Sequence, residues 1–194
     1  MAGVRQFDEA QALDQALALF WQQGYANTTM QELAEATGVQ RGSLYNAYGD
    51  KETLFLRVFD VYRERYIVQM RQALDKPELA ASLRSFLGFT IKSMTTGAPT
   101  RGCLSTKTAL GAEAHDEPIR SALRGLLDEI ETVLYERLSR PGKHERLTIE
   151  PRQAARMILT MTRGLVVIER VYQDDKRMRA TADHLVALLV ARDQ

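Results

Sequence analysis

The sequence predicts an all-α protein in two parts: a small N-terminal three-helix domain over residues 1–50, joined by a long helix to a larger helical domain over residues 51–194. Three observations carry this expectation. Apolar residues recur at three- and four-residue spacing in segment after segment, as in Leu79, Leu83, Phe86, Leu87, Thr90, Ile91 and Met94, which is the period of a helix with one buried face. No stretch alternates apolar and polar residues as a half-buried strand would. Helix-ending signals punctuate the pattern at Gly24, Gly38, Asp75-Lys76-Pro77, Gly97-Ala98-Pro99-Thr100-Arg101-Gly102 and Ser139–Arg146.

The elements follow in order. A first helix runs from about Phe7 to Gln23, with Phe7, Ala10, Leu13, Leu17, Phe20 and Trp21 inward and Gly24 at its end. A second begins at one of two capping-box pairs, Thr28 with Gln31 or Thr29 with Glu32, since a hydroxyl and an acid or amide at that spacing satisfy the free amides of a helix start. Met30, Leu33, Ala34 and Thr37 share its apolar face, and Gly38 ends it where a residue without a Cβ turns the backbone most cheaply. Val39, Leu44, Tyr45 and Tyr48 mark a third helix whose leading end, Gln40 to Ser43, is polar. Asp50 then caps a long helix to about Leu74, with Leu54, Phe55, Val58, Val61, Tyr62 and Met70 inward.

Beyond Asp75-Lys76-Pro77, a helix is expected from Glu78 to about Thr96, with Pro77 in its first turn. A short helix from Cys103 to about Glu113 follows the glycine- and proline-bearing loop, and a long one from Asp116-Glu117-Pro118 to Leu138 comes next. After the solvated loop Ser139–Arg146, Glu150-Pro151 opens a helix to about Tyr172, and the last helix spans Ala180 to Arg192.

Composition narrows the class. A chain of 194 residues, 45% apolar and 26% charged, has the make-up of a globular protein with a sizeable core. Its longest apolar run, Leu185 to Ala191, is far short of a membrane span. The start, MAGVRQFDEAQ, lacks the basic and apolar stretches of a signal peptide, so the cytoplasm is the expected compartment. Cys103 is the sole cysteine, so no disulfide forms within the chain. His115, His144 and His184 lie far apart without metal-ligand spacing, and no glycine-rich phosphate loop or carboxylate pair stands out. No catalytic residue, metal or cofactor is expected, and the chain does not read as an enzyme.

Thr28 to Phe55 organises the rest. Ala34 lets two helices cross closely, Gly38 permits the turn and Leu44 fills the angle between them, which is what a helix-turn-helix requires and what an ordinary helical hairpin also uses. The residues Thr28-Thr29-Met30, Leu33-Ala34, Ala36, Gly38-Val39, Gly42-Ser43-Leu44-Tyr45, Tyr48, Lys51-Glu52 and Leu54-Phe55, with Ala16, Phe20, Gly24 and Tyr25 upstream, resemble the N-terminal helix-turn-helix of the TetR/AcrR family of bacterial repressors. The match is dense over the first third of the chain; beyond it, only length and helical pattern agree.

The resemblance implies a homodimer that binds a double-stranded DNA operator and leaves it when a small molecule binds. Carried over residue by residue, Thr28, Arg41, Gly42, Ser43, Tyr45 and Lys51 would meet DNA, and Gln40 and Arg41 have the reach for base edges. Asn46-Ala47 replaces the aromatic or histidine pair common in the family. Charge runs against a strong electrostatic grip: residues 1–60 hold Arg5, Arg41, Lys51 and Arg57 against Asp8, Glu9, Asp14, Glu32, Glu35, Asp50, Glu52 and Asp60, where a DNA binder usually shows a basic patch. The competing class is therefore a helical interaction protein of the same fold that does not bind DNA specifically.

The larger domain is expected to hold the effector and the dimer interface. A mostly apolar effector would be sought among Phe86, Phe89, Thr90, Met94, Met157 and Met161, with Cys103 beside them. The last two helices resemble the family's dimerisation pair, with Ala154, Ile158, Met161 and Leu165 on one and Leu185, Leu188 and Leu189 on the other. Such a dimer sets its recognition helices about 34–36 Å apart on a palindrome. Arg101-Gly102-Cys103-Leu104 also looks like the corresponding element of a thiol-sensing branch of the family. Two readings of Cys103 stand: a sensor whose thiolate Arg101 and Lys107 favour, or a small buried hydrophobe in the pocket wall.

Overall fold

The computed structural model describes residues 7–97, 100–140, 142 and 144–192; Arg5 and parts of the loops 97–102 and 139–146 lie outside them. The elements are α1 (Glu9–Gln23), α2 (Met30–Thr37), α3 (Arg41–Tyr48), α4 (Lys51–Leu74), α5 (Leu79–Thr95), α6 (Leu104–Leu110), a 3-10 turn (Ala112–His115), α7 (Glu117–Leu138), β1 (Glu145–Leu147), α8 (Pro151–Tyr172), α9 (Asp175–Leu189) and β2 (Val190–Arg192). The expected all-α architecture holds, with one short strand pair added. Among the described residues no helix is long and apolar enough to cross a membrane.

The chain packs as two compact units, one of residues 1–65 and 104–124, the other of residues 66–103 and 125–194. The first unit thus takes in more than the segment 1–50 marked by the sequence: the leading turns of α4 pack with it, and so does the α6 segment.

In the first unit, local signals set the three N-terminal helices. Asp8 caps α1 by accepting from the Gln11 amide at 3.1 Å. Of the two capping pairs, Thr29 with Glu32 forms: the Thr29 hydroxyl accepts from the Glu32 amide at 3.2 Å, and the Glu32 carboxylate accepts from the Thr29 amide at 2.8 Å. Gly38 closes α2 at φ 64°, ψ 13°, a left-handed conformation that a Cβ would strain. Phe20, Leu33, Leu44 and Phe55 are fully buried where these helices meet. The Phe20 and Phe55 rings meet edge-on at 5.1 Å, and Trp21 meets Tyr62 in the same way at 5.2 Å. Asp50 caps α4, accepting from the Thr53 amide at 2.7 Å.

In the second unit, α5 packs against α8 and α9, which pack on each other. Three boundaries differ from the sequence expectation. Pro77 lies before α5 rather than in its first turn, because Glu78 holds the N-cap position. The free amides of α5 are met from a distance instead: the buried Glu145 carboxylate accepts from the Leu79 amide, and from the Ala80 amide at 3.2 Å. The last helix starts at Asp175, capped by Asp174, and stops at Leu189, where the chain pairs antiparallel with β1 (Leu147 opposite Val190, Glu145 opposite Arg192). Three residues per strand are too few to show an alternating pattern. The segment expected as a solvated loop is therefore partly a strand, held down by the Glu145 cap. Arg137 fastens the turn before α5 by donating to the Leu74, Lys76 and Pro77 carbonyls at 3.3, 3.0 and 3.3 Å.

Candidate functional site

The leading end of α3 is the most open polar surface of the expected site. Gln40 occupies the N-cap position without a side-chain cap bond, so the first amides of α3 have no side-chain partner there. Gln40, Arg41 and Gly42 are exposed, Ser43 is half-buried and Tyr45 is 39% exposed. The Arg41 guanidinium reaches the Tyr45 hydroxyl at 3.4 Å and lies 5.5 Å from the ring centroid, so the two side chains present one continuous polar edge. A Cβ added at Gly42 would meet nothing within 4 Å. Among the described residues nothing asks for glycine there, although glycine inside a helix is costly.

Two of the expected DNA contacts have a different position. Thr28 is 1% exposed, and its hydroxyl donates to the Gly24 carbonyl at 2.7 Å. Lys51 turns inward as well: its ammonium donates to the Tyr25 and Thr28 carbonyls, both at 3.0 Å, and sits 4.2 Å from the centre of the Tyr25 ring. The sequence reading missed this because a lysine in the first turn of a helix opposes the helix dipole. The two carbonyls and the ring supply the compensation. Tyr25 is itself shifted upward in pKa, first by burial and then by the acidic Glu52, Asp116, Asp50 and Glu113.

The residues expected to hold an effector divide. Phe86, Thr90 and Met94 on α5 are buried, as is Cys103; Phe89 and Met161 are half-buried. Met157, at 50% exposure, lies on the outer face of α8 and is not part of this group. Two residues that the sequence did not single out lie beside members of this group. Tyr66, from α4, stacks on Phe89 at 5.4 Å between centroids, and burial raises its pKa while the nearby Arg163 guanidinium, Thr90 hydroxyl and Cys103 act on it more weakly. Arg163, from α8, places Nη1 3.4 Å from the Cys103 sulfur. Of the cations the sequence put beside the thiol, Arg101 donates to the Ser93 carbonyl at 3.0 Å and Lys107 to the Trp21 carbonyl at 2.6 Å. No spacing signal links positions 103 and 163, so only the fold could show this pair. A separate groove of about 640 Å³ lies over Arg71, Leu74, Lys76, Pro77, Val133 and Arg137, and none of the expected effector residues lines it.

The expected dimer residues divide too. Ala154, Ile158, Leu165 and Leu189 are buried in the chain's own core, between 0 and 3% exposed, while Met161 and Leu185 are half-buried. Of the seven, Leu188 alone stands out, at 73%. The outer stripe of α8 is instead Met157, Gly164, Val167 and Val171, and its three apolar side chains are 50, 52 and 71% exposed. The misplacement is one of phase: Ala154, Ile158 and Leu165 follow the inner helical face, and a helix apolar on both faces does not reveal from sequence which face is inward.

Comparison with known proteins gives the family. The profile of bacterial regulatory proteins of the tetR family matches residues 12–58. That of the LmrA/YxaF-like transcriptional regulator C-terminal domain matches residues 80–184, more than half the chain. The HTH-type transcriptional repressor ComR of Escherichia coli (strain K12) is 32% identical over 114 residues, 57% of this chain and 54% of ComR. The chain thus spans about half the length of that relative. YezE of Bacillus subtilis (strain 168), an uncharacterized HTH-type transcriptional regulator, is 24% identical over 189 residues, 95% of this chain and 97% of YezE. A cysteine mutant of the TetR family transcriptional regulator CifR, solved with a 26-base-pair operator DNA, superposes with a TM-score of 0.82 at 26% identity, covering 97% of this chain and 100% of CifR. The chain belongs to the TetR family of bacterial regulatory proteins, which are transcriptional regulators and not enzymes.

Proposed function

We propose that this protein is a homodimeric repressor that binds a palindromic operator through α3 and is released by a small molecule held between α5 and α8. The observation that carries the reading is the free leading end of α3. Uncapped amides with Gln40, Arg41 and Tyr45 exposed around them suit phosphate and base edges alike. Gly42, with open space where a Cβ would be, allows a DNA backbone to approach closely. Ser43 adds a hydroxyl for phosphate. Thr28 and Lys51 act in this reading by fixing the turn between α1 and α2, not by touching DNA. Residues 1–50 carry DNA binding, and residues 51–194 carry effector binding and dimerisation, in the cytoplasm. The relatives named as HTH-type repressors and the operator-bound CifR support this over an interaction protein that has lost DNA binding. A gel shift with the DNA upstream of the protein's own coding sequence tests it: a discrete, saturable complex is expected, and only diffuse binding equal to that of unrelated DNA contradicts it.

For dimerisation, the outer face Met157, Gly164, Val167 and Val171, with Leu188 of α9, is the surface to pair. Its apolar side chains are exposed, and Gly164 has open space at its Cβ position for a helix to come close.

A second reading of release rests on the Arg163–Cys103 contact. A guanidinium on the sulfur favours the thiolate. The thiolate sulfur would add to the electron-poor alkene carbon of a quinone or enal, forming an S–C bond, and a solvent proton would complete the adduct, with no oxidant required.

A further inference from the structure

Glu169, on the inner face of α8, is 1% exposed, and among the described residues neither of its carboxylate oxygens has a hydrogen-bond partner. It continues the buried stripe Ile158, Thr162, Leu165. Thr162 precedes it by seven residues, about two helical turns or ~10 Å along the axis. Its neighbour Arg170 turns elsewhere and donates to the Thr100 carbonyl at 3.3 Å. That contact sets this turn of α8 beside the segment that follows α5. A charge removed from water with no partner is among the most costly groups a fold can hold. Glu145, the other buried carboxylate among the described residues of this unit, accepts from two amides at the start of α5.

We propose that Glu169 is the anionic anchor of the effector site, and that the effector is an organic cation, an amine or quaternary ammonium carried on an apolar body. This rests on the reading above that α5 and α8 enclose the effector, and it names the ligand class for that site. A metal ion does not fit, because a divalent cation needs several oxygen, nitrogen or sulfur donors. Among the described residues no group of three His, Cys, Asp or Glu side chains is placed to hold one. The helix α5, which packs against α8, brings Phe86 and Met94 as apolar surface, and the same unit holds the Tyr66–Phe89 pair, whose aromatic faces are of the kind that attract ammonium groups.

The test is calorimetric titration of the full-length protein with 4-phenylbutyltrimethylammonium and with 4-phenylbutanol, its uncharged counterpart, on the wild type and on Glu169→Gln. The wild type is expected to bind the cation at least tenfold more tightly than the alcohol. Glu169→Gln is expected to lose that preference while still binding the alcohol. If the alcohol binds and the wild type shows no preference for the cation, the anchor is overturned while the effector site stands. If neither probe binds the wild type, the anchor falls together with the effector site. A cation preference that survives in Glu169→Gln, or in Glu169→Ala where the first variant does not fold, overturns the anchor as well.

Discussion

The Arg163 guanidinium lies 3.4 Å from the Cys103 sulfur, joining α8 to the residue that leads into α6. The contact predicts how the thiol behaves. Replacing Arg163 with Gln removes the charge that favours the thiolate, so modification of Cys103 by a maleimide should slow at neutral pH and its pH profile should move upward. An unchanged rate and profile would mean that the guanidinium does not govern the thiol.

Lys51 makes a prediction that separates a structural role from a DNA contact. Lys51→Met loses both carbonyl bonds and the contact with the Tyr25 ring. The expected cost is about 1–3 kcal/mol of stability, read as a lower midpoint in urea. If the midpoint is unchanged and only operator affinity falls, Lys51 is a phosphate contact and its inward placement is wrong.

Acid should loosen the N-terminal helices. Hydrogen bonds from the Thr29 hydroxyl and amide lower the Glu32 pKa, and the Thr53 amide lowers that of Asp50. A carboxylate with a depressed folded-state pKa contributes its stability above its unfolded value and loses it as pH falls through the folded one. Wild type should therefore be more stable than Glu32→Gln at neutral pH, and the difference should shrink below about pH 4. A difference that persists undiminished at pH 2 contradicts the cap assignment.

What could be read from the sequence follows the range of the interactions. The Thr29–Glu32 box, the Gly38 turn and the Leu44 plug are local, and a few residues of sequence suffice to find them. Glu145 caps a helix 66 residues away, Arg163 meets a sulfur 60 residues away, and Lys51 reaches back 23 and 26 residues to two carbonyls; pattern alone does not reveal such pairs. For Ala154, Ile158 and Leu165 the reading failed in another way. The helix and its apolar character were legible, but which of two apolar faces stays inside depends on α5 and α9, against which α8 packs.

That difference is testable. Val171→Asp or Leu188→Glu, at positions 71 and 73% exposed, should shift the protein from dimer to monomer in sedimentation while leaving its helicity intact. Ile158→Asp, in the core, should unfold the domain outright. A folded dimer in both surface variants would move the interface elsewhere.

The central claim is that the exposed edge formed by Arg41 and Tyr45 on α3 reads the operator. The most direct measurement is operator affinity by gel shift for the wild type, Arg41→Ala and Tyr45→Ala, with sedimentation showing that each remains a folded dimer. Each substitution should cost about 1–3 kcal/mol per subunit, felt twice in a dimer, so that specific complexes disappear at concentrations saturating for the wild type. Operator affinity unchanged in both variants would contradict the placement of the recognition helix.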